Sequence, residues 1–291
     1  MRLIAVLLSL WLNRFPDRLD GFRNVAYVRG YLQWMRRQLS RVRIWDGLGG
    51  LVLVLAPIGI VVLLVQLAAG DWLLGLGELV LGTLALLFAF GPSRVDDHLE
   101  RFVTAWRAGD LEQAREQAAW LAERKGDDMP DHALPGLALE GVFVRAHERL
   151  FGPVFWLAVL GPVGPVLFRL GHLCREFAAQ HANAGPGFSG AVETFNWLTA
   201  WLPARGAALS FALVGRFVES FHGWNAARGF FSESQRAVLI GAGMGALGLP
   251  VSREDVDILE DTLREARSLI IRSAMIWIAL IALLTLTGWL R

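Results

Sequence analysis

Four stretches of the chain run for about twenty residues with almost no charge, the length needed to cross a bilayer as a helix. Gly47 to Gly70 is uncharged between Asp46 and Asp71, and Trp72 to Ser93 carries only Glu78. Leu150 to Phe168 is uncharged between Arg149 and Arg169, and Ser273 to Leu290 between Arg272 and Arg291. The pattern predicts an all-α, polytopic helical membrane protein with about four transmembrane helices. Gly70-Asp71 leaves room only for a tight hairpin between the first two. A fifth stretch, Thr194 to Phe217, contains Pro203, Arg205 and Arg216. An arginine at mid-membrane costs about 2.5–3.5 kcal/mol on insertion scales, so this segment is expected to be amphipathic or buried in protein.

The polar stretches carry their own periodicity. Val25, Val28, Leu32, Met35, Leu39 and Val42 recur at helical spacing, with arginines on the other faces. Such a basic amphipathic helix suits an anionic lipid surface, and it equally suits packing on the protein itself. Ser93 and Asp96 form a capping pair before Val95, Leu99, Phe102, Val103 and Trp106. Gly109 stops that helix, and Asp110 with Gln113 starts another whose inner face is Leu111, Ala114, Ala118 and Leu121. These elements predict an αα-hairpin without a second copy. A break at 126–130 follows, then a helix from about Leu137. Ser252 and Asp255 cap the helix that leads into the last span.

The expected organisation is a basic arm over 1–46, a transmembrane hairpin over 47–93 and a cytoplasmic helical region over 94–149. A Gly/Pro-broken membrane segment over 150–171 comes next, then a helical extramembrane or interfacial region over 172–268 and a C-terminal span over 269–291. Before Asp46 stand Arg2, Arg14, Arg18, Arg23, Arg29, Arg36, Arg37, Arg41 and Arg43 against Asp17 and Asp20. Positive flanks stay inside, so the N-terminus and 94–149 are expected on the cytoplasmic side of a bacterial inner membrane. Met1 to Leu12 looks like a short signal but lacks a small-x-small cleavage site, and an interfacial or half-inserted helix is expected.

Composition narrows the classes. The chain is 54% hydrophobic with 19% charged residues, and its net charge is +1. That leaves no nucleic-acid surface as a dominant feature. Cys174 is the one cysteine, which rules out an internal disulfide and a multi-cysteine metal site. The histidines form no paired-ligand motif and no metal site is expected; the sequence names no cofactor. Gly243 to Gly248 fits GxGxxG without the strand a dinucleotide site needs, so close helix packing is expected instead. Asp127 and Asp128 could hold Mg²⁺, although an exposed acidic turn fits them better.

The densest polar constellation flanks the third apolar stretch. It comprises Glu140, then His147-Glu148-Arg149, then Gly161-Pro162-Val163-Gly164-Pro165 and Arg169. Ionisable groups at membrane edges often mark a site; the plain alternative is interfacial anchoring and a snorkelling arginine. Straight geometry puts Glu148 and Arg169 on opposite faces, about 32 Å apart. Pro162 and Pro165 disrupt helix donors, so a break near Gly161 is expected to bend the segment.

At these residues the sequence resembles the AmpE family, within the CobD/CbiB superfamily. The shared pattern is Glu140, Pro153-Val154-Phe155-Trp156, Gly161-Pro162-Val163-Gly164 to Arg169, and Trp201-Leu202-Pro203-Ala204-Arg205; His147-Glu148-Arg149 resembles AmpE in particular. The resemblance implies a regulatory signalling protein for inducible AmpC β-lactamase, linked to cell-wall status and to an AmpD-type amidase. The alternative it implies is an amide-forming ligase related to adenosylcobinamide-phosphate synthase, with Glu140, His147 and Glu148 as catalytic groups and Arg169, Arg205 and Glu193 binding substrate. Three departures weigh against corrinoid synthesis, one being His172 and Arg175 where the superfamily has N-x-x-D after the shared arginine. The superfamily's N-terminal D-x-x-x-G-D-P and H-P signature is missing. Val144 and Arg145 stand where its E-S-V-A-E-N motif has the second acid and the asparagine.

Overall fold

A computed structural model describes residues 1–13, 26–39, 45–69, 75–91, 95–123, 130–181, 185–226, 234–249 and 260–288. Every regular element among them is helical: α1 Arg2–Leu12, α2 Ala26–Leu39, α3 Leu48–Ala69, α4 Leu76–Phe90, α5 Val95–Ala108, α6 Leu111–Ala122, α7 Leu134–Ala146, α8 Gly152–Leu160, α9 Val163–Gln180, α10 Pro186–Val214, α11 Phe217–Ala226, α12 Gln235–Leu247 and α13 Glu260–Leu286. A short 3-10 turn, Asp131–Ala133, precedes α7, and a π turn, His147–Phe151, follows it. The chain divides into two compact units. One is Met1–Pro92, Gly152–Ala200 and Leu280–Arg291; the other is Ser93–Phe151 and Trp201–Ala279. The Ser93 cap, the Ser252–Asp255 cap, Asp127, Asp128 and the arginines at 14, 18, 23, 41 and 43 lie outside the described residues.

Three stretches are long and apolar enough to cross a membrane: Leu48–Ala69, Leu76–Ala108, of which 92–94 lie outside the described residues, and Glu260–Leu286. α3 is apolar all round and leaves Leu48, Val61, Leu64 and Leu67 exposed, which is the surface of a helix made for lipid. These features make the chain a multi-pass helical membrane protein. The third expected span, Leu150 to Phe168, is not one helix. α8 ends at Leu160, Gly161 takes φ +68, and α9 begins at Val163. Only glycine adopts that backbone cheaply. A Cβ on Gly164 would lie 2.2 Å from the Trp156 carbonyl oxygen, so α8 and α9 fold back against each other at backbone contact.

The core of the first unit gathers Leu51, Val54 and Leu55 of α3, Leu170, Leu173 and Cys174 of α9, and Phe188 and Val192 of α10. Leu32 and Met35 of α2 enter the same core. The inner face of this amphipathic helix is therefore spent on the protein, while Tyr27 and Trp34 remain exposed on its outer side. Arg29 pairs with Glu176 at 3.5 Å, and the Arg36 guanidinium lies 5.7 Å from the Phe177 ring centre.

In the second unit α5 and α6 form the expected hairpin. Asp110 Oδ1 accepts from the Gln113 N–H at 3.0 Å, and Leu99, Phe102 and Ala105 are buried along with Ala114, Ala118 and Leu121. α7 crosses α6 so closely that a Cβ on Gly141 would fall 2.5 Å from the Leu121 backbone. α11 and α12 meet glycine to glycine: a Cβ on Gly223 would sit 2.1 Å from the Gly241 carbonyl oxygen. The GxGxxG pattern lies within α12 and its C-cap, with Gly243 against the Phe143 ring and Gly245 against the Glu219 carbonyl. It is a helix-packing surface, as expected.

Candidate functional site

Glu140 and His147 stand seven residues apart on α7 and the turn that follows it, a spacing that keeps side chains on one helical face. Glu148 comes next. All three are buried, as is Arg205, and all four belong to the second unit. Arg205 is shaped by its own helix: Nη1 donates to the Trp201 carbonyl at 2.9 Å, and its Cζ lies 4.1 Å from the Trp201 ring centre. A planar guanidinium stacks well on indole, so this side chain is held in a single orientation.

His147, Glu148 and Arg149 all fall on the π turn. Such turns widen the helix by one residue and recur at functional sites. The turn abuts a cluster organised around Trp120 of α6. His98 stacks on one side of the indole, with ring centres 3.4 Å apart. The Arg145 and Arg149 guanidinium carbons lie 4.5 and 5.4 Å from the same ring. His98 Nδ1 and Gln117 Oε1 are 2.8 Å apart. Arg145 donates to the Trp120 and Leu121 carbonyls at 2.6 and 3.2 Å and to Glu123 Oε1 at 2.5 Å, and Glu148 Oε2 is 3.7 Å away. One guanidinium thus satisfies two carbonyls of the last turn of α6, where the helix dipole favours a cation, and bridges two carboxylates.

Arg169 and Glu193 belong to the first unit. Arg169 is buried in α9, beside the Phe168–His172 ring pair, whose centres are 4.7 Å apart. Glu193 is exposed on α10, whereas Asn196, one turn on, is buried and donates to the Gly171 and Val192 carbonyls. The structure therefore groups Glu140, His147, Glu148 and Arg205 in one unit and sets Arg169 and Glu193 in the other. Sequence reading missed Arg145, Trp120, Glu123 and His98. The signal for Arg145 was its position three residues before Glu148, one helical turn away. Among the described residues no group of three or more His, Cys, Asp or Glu side chains is placed to hold a metal.

The model of the family described as regulatory signalling modulator protein AmpE matches residues 1–291. The chain belongs to the AmpE family. Relatives of this AmpE-family chain carry two names. Protein AmpE of Shigella flexneri is 25% identical, covering 69% of this chain and 72% of its own. Cobalamin biosynthesis protein CobD of Stutzerimonas stutzeri is 26% identical over 81% of this chain and 72% of its own. CobD of Chromobacterium violaceum is 27% identical over 65% of this chain, and the match spans 62% of that relative's length. No solved structure matches. Family membership and the apolar helices together describe a multi-pass inner-membrane protein.

Proposed function

We propose that this AmpE-family protein is a regulatory membrane component in the signalling that induces AmpC β-lactamase, coupled to cell-wall status and functionally linked to an AmpD-type amidase. The observation that carries this reading is Arg145. CobD/CbiB-like sequences have an asparagine there, after an acid at the place of Val144. In this chain the position holds a cation tied to α6 and to Glu123 and Glu148. A side chain so engaged supports a structural and regulatory use of this helix over the ligase chemistry of its CobD relatives. The arm is read as cytoplasmic, its outer arginines with Tyr27 and Trp34 resting on anionic lipid.

The test is complementation. Deleting the gene should alter β-lactamase induction by a β-lactam, and the wild-type chain should restore it. Glu148→Ala and Arg169→Ala should fail to restore it while reaching the membrane in normal amounts. Full restoration by both reduces Glu148 and Arg169 to anchoring.

A second reading has its own support. Glu140, His147, Glu148 and Arg205 are buried in one unit, and carboxylates beside an imidazole suit proton transfer. In that reading Glu140, His147 and Glu148 serve an amide-forming ligase, and Arg205 and Arg169 bind an anionic substrate. Growth of a corrinoid-synthesis mutant on expression of this chain would favour it; no growth favours the regulatory reading.

A further inference from the structure

The bundle of the first unit has two distinguishable ends. Asp46, just before α3, and Gln66, in its last turn, are about 30 Å apart at 1.5 Å per residue, the thickness of a hydrocarbon core. At the Asp46 end, Asp46 Oδ1 accepts from the Phe188 N–H at 3.0 Å, and Trp45 stacks on Phe188 with centres 4.9 Å apart. The basic arm lies towards this end: Tyr31 donates to the Val54 carbonyl at 3.2 Å, and Arg29 reaches Glu176.

The other end holds different residues. Gln66 Nε2 donates to the Leu160 carbonyl at 3.4 Å, and its Oε1 accepts from the Val163 N–H at 3.3 Å. The Gly161 turn is therefore at the Gln66 end. So is the start of α1. Arg2 Nε donates to Glu78 Oε1 at 3.1 Å, and Nη1 donates to the Ala158 carbonyl at 2.8 Å. A Cβ on Gly75 would meet the Met1 side chain at 2.9 Å.

The direction of α1 follows from its register on α4. Met1 lies over Gly75, Arg2 pairs with Glu78, and a Cβ on Gly82 would be 3.2 Å from the Ala5 Cβ. These contacts advance along both helices together, so α1 runs parallel to α4, away from the Gln66 end. A helix lying flat in the interface would cross α4 once and could not keep that register. The opposite face of α1 shows Ile4, Leu7, Leu8 and Trp11, all exposed, at the spacing of one helical stripe. The exposed Val80 and Leu84 of α4 and Leu64 of α3 extend the same kind of surface. Arg2 is the one charged residue of α1, and it is paired at the rim.

We infer that α1 is a half-membrane helix whose outer stripe is solvated by lipid acyl chains, entering from the face opposite the basic arm. At eleven residues it is about 16 Å long, half the hydrocarbon thickness. The positive-inside rule keeps the arm cytoplasmic, which places Met1 on the non-cytoplasmic face. Counting arginines alone puts Met1 and the arm on one side; the register of α1 on α4 separates them.

Two measurements on the full-length protein in native membranes test this, both in a Cys174→Ala background. In the first, one variant carries a cysteine ahead of Met1 and another carries Gln38→Cys, at an exposed polar position of α2. A membrane-impermeant maleimide added to intact spheroplasts should label the first at least tenfold more than the second, with the preference reversed in inside-out vesicles. Equal labelling of both from one side overturns the inference. In the second, Ala5→Cys with Gly82→Cys should cross-link on mild oxidation, because their Cβ positions lie within disulfide reach. Failure to cross-link in protein that reaches the membrane removes the parallel register and the inference with it.

Discussion

Arg145 Nη1 donates to Glu123 Oε1 at 2.5 Å, joining α7 to the end of α6. Glu123 is also the one non-glycine position with positive φ among the described residues, at 51°. A left-handed conformation costs an ordinary residue about 1–2 kcal/mol. The carboxylate is where Arg145 needs it because the backbone accepts that cost.

Replacing Arg145 by Ala should therefore be severe. It removes the charged contact to partly exposed Glu123 and takes a donor from the Leu121 carbonyl at the end of α6, and leaving a buried polar group unsatisfied costs about 1–3 kcal/mol. Glu123→Gly removes the carboxylate but relieves the backbone, so its loss should be clearly smaller. Thermal unfolding of the detergent-purified variants checks the order. Equal losses would mean that the Glu123 backbone stores no strain.

The α11–α12 crossing should tolerate no side chain. Gly223→Ala drives a Cβ to 2.1 Å from the Gly241 carbonyl oxygen, and overpacking of this kind costs about 1–3 kcal/mol or more. Gly190 of α10 has nothing within 4 Å of its Cβ position. Gly190→Ala should be neutral or stabilising by up to about 1 kcal/mol, since alanine is the better helix former. Steady-state levels in the membrane and melting temperature should separate the two. A harmless Gly223→Ala would show that these helices are not in backbone contact.

Cys174 should be silent to thiol reagents. It is fully buried in the core of the first unit, beside Leu170 and Leu173. A maleimide should leave it unmodified in intact spheroplasts and after lysis, and label it only after denaturation in detergent. Labelling on lysis alone would contradict its burial.

What the sequence made legible follows from how locally each feature is encoded. α3 is bounded by Asp46 and Asp71 because charge is costly in lipid, and a single stretch of chain states that fact. The Asp110–Gln113 cap and the break at Gly161 are likewise local. Arg145 was not legible in this way. Its partners, Trp120, Leu121 and Glu123, come from another helix, and nothing in its own neighbourhood predicts them beyond Glu148 one turn on. The arm could be read two ways because Leu32 and Met35 suit lipid and protein equally. Only the presence of Leu51, Leu173 and Phe188 beside them decides for protein. Glu193 is expected to bind substrate with Arg169 and Arg205, whereas both of those arginines are buried and Glu193 is exposed on α10.

The Gln66 amide also sets an order of assembly. Its hydrogen bond to Val163 joins positions 97 residues apart in the chain. At about 5–20 residues per second of synthesis, α3 precedes the Gly161 turn by roughly five to twenty seconds. The α8–α9 hairpin emerges with the Val163 N–H and the Leu160 carbonyl at its tip, groups that the Gln66 amide pairs in the folded protein. α3 is by then already made and carries both complements on one side chain. The early span thus acts as a template, and the later hairpin is completed by docking onto it.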